Sequence, residues 1–232
     1  MDNKDRKKNI SVAVDGPSGS GKSTLSRAAA KELSLVYVDT GAIYRTVGYH
    51  MDFLGIGPRD TDGVTRLIGD ANIRIEYDPA GGQHMILNGS DVTEELRTPE
   101  MSKIASAISG QKVVRDYLLE MQRDVARNHS VVMDGRDIGT VVLPHADVKI
   151  FLTASPEIRA RRRFEELSAK GEKTTYEQVL EDQRKRDEQD AGRKIAPLKQ
   201  AKDAILLDTS GFTPEQSVEA VVRLVREKLG PL

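Results

Sequence analysis

The sequence predicts an α/β fold in which helices cover both faces of a parallel sheet, with a small antiparallel insertion and a helical lid. Two observations predict it. Short apolar runs of strand length alternate with longer segments of helical period, and a glycine-rich turn follows the first of those runs. The alternation indicates a parallel sheet, because each crossover between parallel strands needs a long connection, usually a helix.

Five short runs are predicted to be the strands of this sheet. Each is mostly apolar, as expected for strands that are buried on both faces. They are Ile10–Asp15, Val36–Asp39, Ser130–Asp134, Val148–Thr153 and Ala204–Asp208.

Segments of helical period separate the strands. The predicted helices run over about Lys22–Leu33, Ile43–Leu54, Ser155–Lys170, Tyr176–Ala191 and Glu215–Leu229.

One stretch breaks this rhythm. Ile73–Tyr77 alternates apolar and polar residues, Ala80–Gly82 supplies a turn, and His84–Leu87 can return as a partner strand. We therefore expect one domain built from a core (about 9–55, 111–153 and 194–232), an insertion (about 56–110) that contains this hairpin, and a lid region (about 154–193).

Composition narrows the function classes. The 232 residues carry 35 Lys and Arg against 36 Asp and Glu, whereas a general nucleic-acid binder usually has a strong basic excess. The absence of cysteine excludes disulfides and fits a reducing compartment. The first nine residues lack the apolar stretch of a secretory signal, and no run approaches the roughly 18 apolar residues of a spanning helix. We expect a cytoplasmic monomer that binds neither nucleic acid nor membrane.

The turn after the first strand has the sequence GPSGSGKS at Gly16–Ser23, which satisfies the P-loop pattern G-x-x-x-x-G-K-[ST]. Its glycines let successive backbone N–H groups point at phosphate oxygens, and the following helix N-terminus adds partial positive charge. Lys22 can reach the β- and γ-phosphates of ATP, and the Ser23 hydroxyl can bind Mg²⁺. A P-loop NTPase-type fold is therefore predicted. The expected ATP-binding residues are Gly16, Pro17, Ser18, Gly19, Ser20, Gly21, Lys22, Ser23 and Thr24.

A P-loop does not by itself separate kinases from GTPases, switches or ATP-driven machines. Nor does the pattern choose the acidic residue on the metal side, because predicted strands end in aspartate at Asp39, Asp134 and Asp208. Asp134, which follows Val131–Met133, is the preferred candidate.

Arginine residues suggest a second anionic ligand. Arg45 and Arg136 follow strands, where α/β sheets bind their ligands, and a guanidinium group binds phosphate through two parallel hydrogen bonds. Further arginines lie in the predicted lid helices, where Arg159, Arg162 and Arg163 share a face. A movable lid would exclude water from a phosphoryl transfer, although two solvated helices carrying salt bridges fit the pattern equally well.

Four stretches together resemble the bacterial cytidylate kinase family. They are GPSGSGKST at Gly16–Thr24, DTGAIYR at Asp39–Arg45, DGRDIGTVV at Asp134–Val142 and the pattern RD..D..R..APL at Arg186–Leu198. The resemblance extends in order from about Ile10 to Leu229. It implies transfer of the γ-phosphoryl group of ATP to CMP or dCMP.

The resemblance also implies roles for individual residues. The residues expected to stabilise the transferring group are Lys22, Arg136, Arg159 and Arg163. Those expected at the acceptor phosphate are Thr40, Arg45, Arg136 and Arg193, with Tyr44 packed beside the acceptor. Those expected at cytosine are Ser106, Arg115 and Asp137, and those at the ribose are Arg186 and Asp190.

Two alternatives stay open at this point. A kinase for another acceptor, such as UMP, AMP or a phosphorylated metabolite, would keep the ATP site but not the role of Asp137. A nucleotide-dependent switch without phosphoryl transfer would leave the second set of arginines without a purpose.

Overall fold

The computed structural model describes residues 9–169 and 171–230. A parallel five-stranded sheet, in the order β2-β6-β1-β7-β8, forms its centre. Its strands are β1 (Ser11–Asp15), β2 (Val36–Asp39), β6 (Val131–Gly135), β7 (Val148–Thr153) and β8 (Ile205–Asp208). A smaller antiparallel sheet consists of β3 (Ile73–Tyr77), β4 (Gln83–Leu87) and β5 (Ser90–Asp91).

Eight helices surround the sheets in the part of the chain that is described. They are α1 (Lys22–Glu32), α2 (Thr40–Phe53), α3 (Thr61–Leu67), α4 (Pro99–Ile108), α5 (Lys112–Asn128), α6 (Pro156–Ala169), α7 (Tyr176–Ala191) and α8 (Pro214–Leu229). A 3₁₀ turn spans Ile68–Asp70, and one turn of π-helix spans Ile138–Val142. No helix within these residues is long and apolar enough to cross a lipid bilayer.

The predicted fold class is confirmed, and most strand limits agree within one residue. Helix α2 begins three residues earlier than predicted, because Asp39 caps it by accepting a hydrogen bond from the Ala42 backbone N–H at 3.0 Å. The short strand β5 was not predicted. The predicted C-terminus of the first lid helix, Lys170, lies outside the described residues.

Alternate residues of the central strands pack into two separate cores. In β1, Val12 and Val14 join α1 and α8 on one face, while Ala13 faces the core formed with α2 and α5. In β6, Val132 belongs to the first core and Met133 to the second. Since both faces are covered by helices, ligands can reach the sheet only at its ends. The carboxyl ends of β1, β2 and β6 lie together.

We predict that Leu118→Ala, in the middle of α5, lowers the free energy of unfolding by about 2–5 kcal/mol. The Leu118 side chain is completely buried, so its removal leaves a cavity between α5 and the sheet. Leu206→Ala, at a β8 position that is 57% exposed, is the control and should change stability by less than about 0.5 kcal/mol. Urea unfolding measures both variants. A loss below about 1 kcal/mol in Leu118→Ala would contradict the packing described here.

Candidate active site

At two positions of the loop between β1 and α1, there is no room for a residue larger than glycine. A Cβ on Gly16 would lie 2.1 Å from the Leu152 carbonyl oxygen. Gly19 has φ +71°, and a Cβ there would lie 2.3 Å from Nε2 of Gln183 in α7. The loop therefore fits tightly between β7 and α7, and it leads directly into the N-terminus of α1. This is the geometry in which a helix N-terminus and backbone N–H groups bind phosphate.

Lys22 is the first residue of α1, and its side chain is buried. Its Nζ donates a hydrogen bond to the Pro17 carbonyl oxygen at 3.2 Å. Burial, together with the nearby Arg136 and Arg186, lowers the pKa of Lys22 to about 7, while Asp134 opposes the shift. The Lys22 amine is therefore poised to gain a proton, and become an ammonium group, when a polyanion binds.

Asp134, at the end of β6, lies directly beside the P-loop. Its Oδ2 accepts a hydrogen bond from the Ser23 hydroxyl at 2.7 Å, and its Oδ1 accepts one from the Tyr37 hydroxyl at 3.1 Å. Burial raises the pKa of Asp134 to about 6, and the neighbouring Asp39 raises it too, whereas Lys22 lowers it.

The three strand-end aspartates are therefore in different environments. Asp134 faces Ser23, as described above. Asp39 caps α2 and pairs with Arg45 at 2.8 Å. Asp208 accepts hydrogen bonds from the backbone and hydroxyl of Ser210 after the edge strand β8. The structure thus favours Asp134 among the three as the carboxylate on the metal side.

The smaller sheet reaches the end of β2 through Gln83. The Gln83 Oε1 accepts a hydrogen bond from the Asp39 backbone N–H at 2.8 Å, and its Nε2 donates to the Asp39 carbonyl oxygen at 3.2 Å. In the same corner, the Thr40 hydroxyl donates to the Asp134 carbonyl oxygen at 2.7 Å. The insertion therefore holds the segment that carries Thr40 and Arg45.

Arg136 and Arg193 meet at a buried carboxylate. Arg136 Nε lies 2.8 Å from Asp190 Oδ2, and Arg193 Nη2 lies 2.6 Å from Asp190 Oδ1. Burial acts to raise the pKa of Asp190, but the two arginines outweigh it and hold the pKa below its ordinary value. Burial and Arg136 lower the pKa of the neighbouring Arg186 to about 10. Helix α7 ends at Ala191, yet Arg193 still reaches Asp190.

A second buried ion pair lies beside the first. Arg115 Nη1 lies 2.7 Å from Asp137 Oδ2, and Arg115 Nε donates to the Ser109 carbonyl oxygen at 2.7 Å. The Arg115 guanidinium also lies 5.5 Å from the centre of the Tyr44 ring. Burial raises the pKa of Asp137 above its ordinary value, although Arg115 opposes the shift. The Ser106 hydroxyl is buried and has no hydrogen-bond partner among the described residues.

The candidate lid arginines differ in what they contact. Arg159 is buried, donates to the Ser18 carbonyl oxygen at 2.9 Å and pairs with Asp187 of α7 at 2.7 Å. Arg163 is about one-third exposed and pairs with Glu166, three residues along α6, at 2.7 Å. Arg159 of α6 therefore contacts both the P-loop and α7, whereas the observed partner of Arg163 lies on its own helix.

Sequence reasoning did not single out three residues that the structure places here: Asp15, Tyr37 and Gln83. Asp15 carried a usable signal, since it ends a strand directly before Gly16. Tyr37 and Gln83 offered none, because their contacts join distant segments of the chain. Asp187 belongs to the pattern RD..D..R..APL, but that pattern does not reveal its ion pair with Arg159.

The comparisons with known proteins agree with the geometry. The family model described as "Cytidylate kinase" matches residues 12–227. A cytidylate kinase of Carboxydothermus hydrogenoformans is 48% identical over 217 residues, which cover 94% of this chain and 97% of that protein. A cytidylate kinase of Clostridium tetani is 44% identical over 220 residues, covering 95% of each.

One solved structure supports the fold alone. An uncharacterized protein from Eubacterium ventriosum superposes with a TM-score of 0.52 at 11% sequence identity, covering 95% of this chain and 99% of that protein.

We predict that the protein takes up a fraction of a proton when it binds a non-hydrolysable ATP analogue at about pH 8. The Lys22 pKa of about 7 leaves the free site mostly unprotonated there, and the bound triphosphate raises that pKa. Asp134, with a pKa of about 6, is already ionised at this pH and contributes little. Calorimetry in two buffers of different ionisation enthalpy measures the uptake.

Lys22→Arg is the matched control, because arginine is protonated throughout this range and should take up none. Equal uptake in the two proteins, or none in the wild type, would contradict the role given to Lys22.

Proposed function

The chain belongs to the cytidylate kinase family, and from this premise we propose that it transfers the γ-phosphoryl group of ATP to CMP or dCMP. One observation supports binding of the monophosphate acceptor at this site. The buried Arg115–Asp137 pair, which can recognise a base, lies next to the Arg136–Asp190–Arg193 cluster, which can bind a phosphate. A monophosphate has these two features at a fixed separation.

Asp137 and Arg115 match the hydrogen-bonding edge of cytosine. A carboxylate accepts from the exocyclic amino group, and a guanidinium donates to the ring nitrogen N3 and the carbonyl O2. Uracil presents a carbonyl oxygen where cytosine has the amine, so Asp137 would face another acceptor and disfavour it. The unpartnered Ser106 hydroxyl is a further group for the base, and Tyr44 would pack beside the acceptor.

The acceptor phosphate is assigned to the arginine cluster. Two unit negative charges at 4 Å repel by about 4 kcal/mol at an effective dielectric near 20, so two nucleotides need cations between them. Arg136, Arg193 and Arg45 supply this charge, and Thr40 from α2 adds a neutral hydroxyl donor.

The ribose is assigned to Arg186 and Asp190. Both oxygens of Asp190 already pair with arginines, so its contact with a ribose hydroxyl would use the remaining lone pairs.

The chemical step requires little proton transfer. An oxygen of the CMP phosphate attacks the γ-phosphorus in line, and the bond from that phosphorus to the oxygen bridging to the β-phosphate breaks, which leaves ADP and CDP. The attacking oxygen is already anionic, so no general base is assigned. Lys22, Arg136 and the lid arginines Arg159 and Arg163 are assigned to stabilise charge on the transferring group.

The donor set beside the P-loop fits Mg²⁺. It consists of the Ser23 hydroxyl and the Asp134 carboxylate, both hard oxygen ligands. Within residues 9–169 and 171–230 there is no group of three or more His, Cys, Asp or Glu suited to a metal. Sparse protein ligation suits Mg²⁺, which keeps waters and substrate phosphates as ligands. When bound, the ion would neutralise charge on the phosphates, while Ser23 and Asp134 hold their positions through the 2.7 Å hydrogen bond.

We assign water exclusion to the region 154–193 as a lid. Glu172, in the loop between α6 and α7, lines an open cleft of about 460 Å³ together with Thr98, Glu100 and Lys103 at the start of α4. The loop between α6 and α7 therefore lies beside the start of α4. The division into core, insertion and lid is part of this proposal, as are a monomeric state and a cytoplasmic location, which fits the lack of cysteine.

We predict that ADP formation from Mg²⁺–ATP is strongly stimulated by CMP and dCMP and much less by UMP, AMP or GMP. A coupled assay with each monophosphate offered separately measures this directly. Stimulation by a different monophosphate would support the kinase activity but contradict the assignment of CMP and dCMP as acceptors. Slow hydrolysis that no monophosphate accelerates would favour a switch.

In the same assay, Asp137→Ala should reduce the preference for CMP over UMP by about tenfold or more and change the KM for ATP by less than about threefold. The variant removes the only proposed acceptor for the cytosine amine and leaves the P-loop intact. A preserved CMP preference in Asp137→Ala would contradict its role in reading the base.

A further inference from the structure

Asp15 is a buried carboxylate that the mechanism above does not use. It ends β1 directly before Gly16 and is 4% exposed. Its Oδ1 accepts a hydrogen bond from the Ile138 backbone N–H, and its Oδ2 accepts one from the Gly139 backbone N–H, both at 2.7 Å. Each oxygen therefore holds one of two consecutive N–H groups.

Those two N–H groups belong to the first residues of the π-helical turn Ile138–Val142, which begins directly after Asp137. The first N–H groups of a helical turn have no partner inside the turn, and a buried N–H without a partner is costly. Asp137 has φ −143° and ψ 26°, outside the regular helix and strand regions, so a regular hydrogen-bond ladder does not fix its conformation. The contacts that fix it come from outside.

The charge state of Asp15 suits this arrangement. Burial raises its pKa to about 6, while the hydrogen bonds from Gly139 and Ile138 lower it. At neutral pH the group is thus mostly a carboxylate, whose two oxygens can accept two bonds at once. An amide of the same shape has one acceptor and would turn a donor towards the other N–H.

We propose that Asp15 is a positioning residue for the acceptor base, which fixes the backbone after Asp137 so that the Asp137 carboxylate faces Arg115 and cytosine. The inference rests on the proposed function. It adds a direct link between the two substrate sites, because the residue that holds the base-reading loop is also the one that leads into the P-loop. Asp15 acts through the backbone and does not touch the substrate.

The test is Asp15→Asn, compared with the wild type in the coupled assay with CMP and UMP. We expect the KM for CMP to rise and the preference for CMP over UMP to fall, each by about tenfold, because one N–H loses its acceptor. The KM for ATP should change by less than about threefold. Loss of fold stability alone would lower the amount of active enzyme without changing the ratio between two acceptors.

Asp147→Asn is the matched control. Asp147 Oδ2 accepts a hydrogen bond from the Ser11 backbone N–H at 2.9 Å, at the opposite end of the same strand. This variant also weakens a carboxylate contact to backbone at β1, but far from the base, and should leave the CMP/UMP ratio unchanged.

Gly139→Ala disturbs the same contact by changing the residue that donates to Asp15, and it tests the inference if Asp15→Asn does not fold. Its Cβ would lie 3.3 Å from Asp15 Oδ2 and 3.2 Å from Lys149 Cδ, so the carboxylate must shift. The same loss of CMP preference is expected, without an equal rise in the KM for ATP.

Two results overturn the inference: an unchanged CMP/UMP ratio in the folded variants, or a KM for ATP that rises as much as that for CMP. A wild-type enzyme without any preference for CMP would contradict the proposed function, and this inference with it. The wild-type measurement therefore separates the two failures.

Discussion

One buried carboxylate, Asp190, holds together the side of the site that is proposed to bind the acceptor. It pairs with Arg136 from the loop after β6 and with Arg193 from the segment after α7, and thus joins these two segments to α7. Removing one partner of a buried ion pair costs more than making the pair gains, so the three residues depend on one another. Arg186 lies in the same field, which lowers its pKa to about 10. The arginines around Asp190 outnumber it, and an anionic acceptor would neutralise the positive charge that remains.

A second set of buried charges lies at the P-loop. Lys22 and Asp134 are both buried, and their pKa values are shifted towards each other, to about 7 and about 6. Groups of this kind are unfavourable without a ligand and mark sites that bind charged molecules. The parallel sheet makes the arrangement possible, because it brings the carboxyl ends of β1, β2 and β6 to one edge. The P-loop, Asp39 and Asp134 then meet without any long loop.

The sequence predicted the elements better than the contacts between them. Strand and helix limits follow from local apolar patterns, and the P-loop follows from fixed spacing, so both were accessible. The early start of α2 is not visible in the apolar period, although its capping residue Asp39 is a local signal. The π-helical turn Ile138–Val142 was not accessible, because it depends on Asp15, which is distant in the chain. The lid shows the same limit. Helical periodicity places Arg159 and Arg163 on one face but cannot say that Arg159 meets Ser18 while Arg163 pairs along its own helix.

The central claim is that the acceptor phosphate completes the charge balance around Asp190. The most direct measurement is the thermal unfolding of the wild-type protein with CMP and with cytidine at equal concentrations. The two ligands present the same base and sugar and differ only in the phosphate. The account predicts that CMP raises the Tm clearly and that cytidine raises it little, since only CMP neutralises the arginines. Equal stabilisation by cytidine and CMP would contradict it.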